Sequence, residues 1–151
     1  MLVKEILRVK GGALYTTTPE QNLEAVVAAM ADLDVGSLVV MAGGKMVGLV
    51  TFREVLQAVK AANQTGLWPT VREVMVSAPV TVPPAMDAFS LRRLMIEKHS
   101  RYLPVMEGDT LQGVISFLDV AKAVLEEQSF ENRMLKSYIK NWPGEGEAPA
   151  N

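Results

Sequence analysis

Two spacings of apolar residues alternate along this chain, and their order occurs twice. Leu23, Val26, Val27 and Met30 share one helical face, whereas residues 38–41 form an unbroken apolar run of strand length. Gly43-Gly44 predicts a hairpin turn, residues 46–50 a second strand, and Thr51 the cap of a following helix. Residues 18–59 then align with residues 83–124 without a gap, at a shift of 65 (Pro84 minus Pro19). The shift superposes Met30 on Met95, Leu38 on Leu103, Gly43 on Gly108, Gly48 on Gly113 and Phe52 on Phe117. Upstream, residues 3–7 match residues 71–75 at a shift of 68 (Val71 minus Val3), and the difference falls around Gly11 and Gly12, in a loop.

The pattern predicts an α/β (α+β) chain of two tandem repeats, 1–62 and 71–128, each with a helix, a strand hairpin and a second helix, joined by a linker at 63–70. Pro104 lacks an N–H, which suits an edge position for its strand. Beyond the second repeat, Phe130, Met134, Leu135, Tyr138 and Trp142 recur at near-helical spacing. They predict an amphipathic C-terminal helix over 129–142, capped by Ser129 and ended by Pro143. Residues 143–151 are too polar and too rich in Gly and Pro to order by themselves.

Composition narrows the function. With 49% hydrophobic and 21% charged residues among 151, the chain has the make-up of a folded globular protein. A net charge of −2, both signs interspersed, gives no broad positive field for nucleic acid. No cysteine is present, so disulfides and thiolate metal sites are excluded and a reducing compartment is allowed. Charges among the first residues break any secretory h-region, and Asp32 and Asp34 interrupt the most apolar stretch. These features predict a cytoplasmic protein with no membrane span.

Arg101-Tyr102-Leu103-Pro104-Val105 followed by Gly113-Val114-Ile115-Ser116-Phe117-Leu118-Asp119 resembles the CBS domain, in doubled form the Bateman module. The tail also resembles that of small stand-alone bacterial CBS-pair proteins. The resemblance implies two βαββα repeats related by a pseudo-twofold, with clefts between them for AMP, ADP, ATP or a related adenosyl ligand. It implies a phosphate contact at Ser116, a carboxylate for the ribose hydroxyls at Asp119, a basic phosphate ligand at Arg101, and adenine against Leu7, Gly12, Val35 and Gly36. In a possible second cleft, Thr51 is matched with Glu54 in place of the Asp. The residue chemistry agrees: a helix N-terminus offers unpaired N–H groups, Ser116 a hydroxyl donor, and Arg101 a bidentate partner for phosphate.

Each residue also has a plainer role. Thr51/Glu54 and Ser116/Asp119 fit capping boxes, the first better because Glu is the usual acid there. Arg101 alone would read as a solvated surface charge. His99, the single histidine, has no nucleophile elbow near it, and Gly43-Gly44-Lys45 lacks the spacing of a phosphate loop. The sequence therefore predicts a non-enzymatic adenine-nucleotide sensor that needs no metal or other cofactor, homodimeric and signalling to an unknown downstream protein. The rival is a dimerisation or interaction scaffold with vestigial clefts.

Overall fold

A computed structural model describes residues 1–140. The first half runs α1 (Val3–Lys10), β1 (Thr16–Thr17), α2 (Leu23–Leu33), β2 (Ser37–Ala42), β3 (Lys45–Thr51) and α3 (Phe52–Thr65). The second runs α4 (Val71–Val74), α5 (Ala88–Lys98), β4 (Tyr102–Glu107), β5 (Thr110–Ser116) and α6 (Phe117–Lys140). The sequence shift reappears in the strand registers. Ser37 pairs with Thr51 and Tyr102 with Ser116, and both hairpins carry an irregularity at the same place, Val40/Met41 and Val105/Met106. Gly43 and Gly44 both have positive φ, as a two-residue type I′ turn requires.

The two sheets differ at one proline. β1 lies parallel to β2, and Val39 N donates to Tyr15 O at 3.1 Å. Pro104, the counterpart of Val39, has no N–H to give, so the second repeat keeps only an isolated parallel bridge between Val82 and Val105. β4 is thus an edge only in part: Val82 N donates to Pro104 O at 3.0 Å and Met106 N to Val82 O at 2.9 Å.

The opening helices change places. Val3 and Ile6 of α1 are buried with Leu91, Met95, Leu103, Val105 and Ile115 of the second repeat, while Val71 of α4 is buried with Leu23, Val26, Leu38 and Val50 of the first. Equivalent backbone bonds fix both exchanges. Val3 N donates to Met86 O and Val71 N to Gln21 O, each at 2.8 Å; Lys4 N donates to Pro84 O at 3.0 Å and Arg72 N to Pro19 O at 2.9 Å. Each repeat as bounded in the sequence, 1–62 and 71–128, therefore has a core completed by the other's first helix.

Helix ends follow side-chain chemistry. Asn22 Oδ1 accepts from Glu24 N at 2.8 Å, and Asp87 Oδ1 from Ser90 N at 2.9 Å. Asp34 and His99, both left-handed, close α2 and α5. α3 runs to Thr65, into the predicted linker, because Ala61, Ala62 and Gln64 favour helix and the first left-handed stop is Gly66 (φ 74°). No break occurs at Ser129: the predicted C-terminal helix continues α6, since serine is tolerated in a helix whose neighbours propagate it. Trp142 and the tail 143–151 lie outside the described residues. Among those described, no helix is long and apolar enough to cross a membrane, and no His/Cys/Asp/Glu group suits a metal ion.

Candidate functional site

Repetition about a pseudo-twofold leaves two clefts where β3/α3 and β5/α6 face the opposite repeat. The cleft at α6 has a volume of about 370 Å³, within the ~300–1,000 Å³ range of small-molecule sites. Ser116 and Arg101 line it from the second repeat, Val35 and Gly36 from the first. Leu7 and Gly12 line an adjoining cavity of about 800 Å³, which shares Lys10, Gly11, Ala13, Leu14 and Val114 with the cleft. The sequence-predicted set is thus split among three spaces that meet at Lys10, the third being the groove that holds Asp119.

Ser116 and Asp119 form a reciprocal pair at the start of α6. Ser116 N donates to Asp119 Oδ2 at 2.8 Å and Asp119 N donates to Ser116 Oγ at 3.1 Å, a capping box built on Asp. The Ser116 hydroxyl proton is not used in this pair. Asp119 faces the groove between α1 and α6, beside Lys10 and Lys122, and not the space occupied by Arg101 and Gly36. Lys10 Nζ, at the end of α1, stands between them, 2.8 Å from Asp119 Oδ2 and donating to Val114 O at 2.7 Å. Sequence reasoning missed Lys10, because a lysine in the last turn of a helix reads as a dipole partner. The signal that could have found it was its counterpart, Ala78 (78 minus 68), which breaks the repeat.

The Arg101 guanidinium makes no hydrogen bond or ion pair among the described residues, while its backbone O accepts from Phe117 N at 2.8 Å, and Arg101 lines both clefts, as does its neighbour Tyr102. Burial pushes the Tyr102 phenol above its ordinary value; Arg101 works against this and Asp119 with it, so the hydroxyl stays a donor at neutral pH. Gly36 has a steric role. A Cβ there would overlap the Tyr102 hydroxyl and ring, so glycine is what admits the tyrosine between the clefts.

The second cleft, about 530 Å³, is lined by Thr51, Arg53, Glu54, His99 and Arg101 among others. Glu54 is buried (6% exposed) and its Oε1 accepts from both Thr51 N and Thr51 Oγ1 at 2.8 Å. Its carboxylate serves the helix end. Arg53 Nη2 donates to His99 O at 3.0 Å.

The doubled fold and the helix-end pairs define a two-repeat ligand-cleft module, and the CBS domain family model matches residues 3–61 and 71–126. The chain belongs to the CBS domain family. It is 26% identical over 148 residues to the mitochondrial CBS domain-containing protein CBSX3 of Arabidopsis thaliana, covering 91% of this chain and 71% of that one. The solved structure of a CBS-domain protein from Burkholderia ambifaria superposes with a TM-score of 0.78 at 30% identity, over 85% of this chain and 96% of that one. Two more distant structures share the fold. CBSX2, solved in complex with AMP, has a TM-score of 0.71 at 21% identity, over 84% of this chain and 98% of that one. A CBS domain pair in complex with 5′-methylthioadenosine and S-adenosyl-L-methionine has a TM-score of 0.73 at 19% identity, over 84% of this chain and 98% of that one.

Proposed function

We propose that this protein is a cytoplasmic regulatory module, not an enzyme, whose α6 cleft takes an adenine nucleotide. The observation that carries the reading is Ser116 at a helix N-terminus beside Arg101, whose guanidinium has no partner among the described residues, both facing Val35 and Gly36 of the opposite repeat, with Asp119 bonded to Ser116 at the border of the cleft. A phosphate in the cleft meets N–H groups, a hydroxyl and a guanidinium, and a ribose diol reaches the Asp119 carboxylate past Lys10. The ligand-bound relatives support adenosyl chemistry in this fold. A ligand that binds the two repeats in one relative geometry better than in another shifts their populations, and that difference is the signal.

Thermal shift with AMP, ADP, ATP, NAD and S-adenosylmethionine in parallel tests the reading. A ligand at about a hundred times its dissociation constant stabilises the fold by roughly 2.7 kcal/mol. No shift with any of the five would contradict it.

A homodimer belongs to the same proposal. Phe130, Met134 and Leu135 on α6 are 55–57% exposed, an apolar stripe that a second copy would cover. Light scattering at micromolar concentration should give twice the chain mass, and truncation before Ser129 should reduce it; a monomer in both cases contradicts the proposal.

A further inference from the structure

The α6 N-terminus carries an electrostatic conflict. Its aligned peptides supply about half a positive charge, but Asp119, in its first turn, places a full negative charge at the same end. A phosphate approaching Ser116 would meet a net negative group. Lys10 removes that obstacle with an ammonium 2.8 Å from Asp119 Oδ2, held in place by Val114 O. The same lysine borders the α6 cleft, the adjoining cavity and the α1–α6 groove, so it also stands between Asp119 and any ligand in the cleft.

From this we infer that Lys10 sets the charge class of the ligand: it admits phosphorylated adenosine compounds and excludes neutral or cationic ones. The inference rests on the adenine-nucleotide reading above and goes beyond it to the selectivity of the site. Ribose hydroxyls that take Asp119 share with Lys10 a carboxylate whose Oδ2 already accepts from Ser116 N, and this weakens the hold of Lys10 on it. A 5′-phosphate offers the ammonium a second anion, so it stays paired. Adenosine leaves Lys10 short of a partner, and a sulfonium ligand brings a second cation to it, so both lose the carboxylate without compensation.

Adjacent charge points the same way. Lys4 and Arg8 line the cavity that joins the cleft at Lys10, and neither forms an ion pair among the described residues. At the equivalent places of the other repeat stand Arg72, paired with Glu20 at 2.7 Å, then Val76 and Ala78. Lys4, Arg8 and Lys10 thus add positive charge on the α1 side, next to the α6 cleft, of which the matching positions of the other repeat keep only Arg72.

Calorimetric titration of AMP, adenosine and S-adenosylmethionine into wild type, Lys10→Ala and Lys10→Arg tests this. Wild type should bind AMP at least tenfold more tightly than adenosine and show no binding of S-adenosylmethionine. Lys10→Ala should lose about tenfold for AMP and gain for adenosine and S-adenosylmethionine, because Asp119 is then uncovered. Lys10→Arg should restore the wild-type order. Equal AMP affinity in wild type and Lys10→Ala, a uniform loss for all three ligands, or wild-type binding of S-adenosylmethionine as tight as AMP would overturn the inference while leaving the nucleotide reading in place. Binding of none of the three to wild type would overturn both.

Discussion

The hydroxyl end of Tyr102 fills the space in front of Gly36 that any side chain at position 36 would need. The pair lies across the pseudo-twofold, tyrosine from the second repeat and glycine from the first, and Tyr102 borders both clefts. Gly36→Ala would also bring a Cβ within 2.7 Å of Phe52 Cε2. Overpacking of this kind costs about 1–3 kcal/mol. Chemical denaturation should show that loss, and Tyr102→Ser, which installs the residue found at the equivalent Ser37, should rescue part of it in the double variant. Strictly additive losses would separate the two residues.

Exchange of the opening helices ties the two cores together. Val3→Ala and Val71→Ala each remove methyl groups from a fully buried position in the opposite repeat, at a cost of about 1–3 kcal/mol. Because each core contains part of the other half, both variants should shift one cooperative unfolding transition. Two separate transitions, only one of them moved, would show that the repeats fold independently.

Glu54→Ala removes the acceptor of Thr51 N and Thr51 Oγ1 from a buried position. The expected loss is about 1–2 kcal/mol of stability, measured by thermal melting. An unchanged melting temperature would deny Glu54 its capping role.

Much of this was legible in the sequence because a repeat carries its own control. The ungapped shift of 65 fixed both hairpins, and strand registers could only repeat with it. The helix-end pairs were legible because capping uses short-range spacing. The exchange was not: residues 3–7 and 71–75 are apolar on one face, and nothing in a local pattern says which core that face enters. Lys10 was hidden for the same reason, since its partners Asp119 and Val114 lie more than a hundred positions away. The continuity of α6 through Ser129 was missed because a serine before an apolar stripe looks like a cap whether or not the helix has already begun.

Asp87 caps α5, accepting from Ser90 N and Ser90 Oγ at 2.9 and 2.8 Å, and the Ser90 backbone N–H holds its carboxyl below the ordinary 3.8. A depressed value means stability present at neutral pH and lost as pH falls through the folded-state value, below 3.8. Asp87→Ala should therefore melt lower than wild type at pH 7, and the gap should narrow below pH 3.8. A gap that stays constant into acid would rule out the charged cap as its source.

The central claim is that the α6 cleft, with Asp119 at its border behind Lys10, is the principal nucleotide site, and calorimetric titration of AMP into wild type, Asp119→Ala and Glu54→Ala tests it most directly. Loss of a charged acceptor for ribose hydroxyls is worth roughly 1.5–3 kcal/mol, or about ten- to a hundredfold in affinity. Asp119→Ala should lose that much, while Glu54→Ala should lose stability with little change in AMP affinity. Equal affinity losses, or a larger loss for Glu54→Ala, would contradict the account.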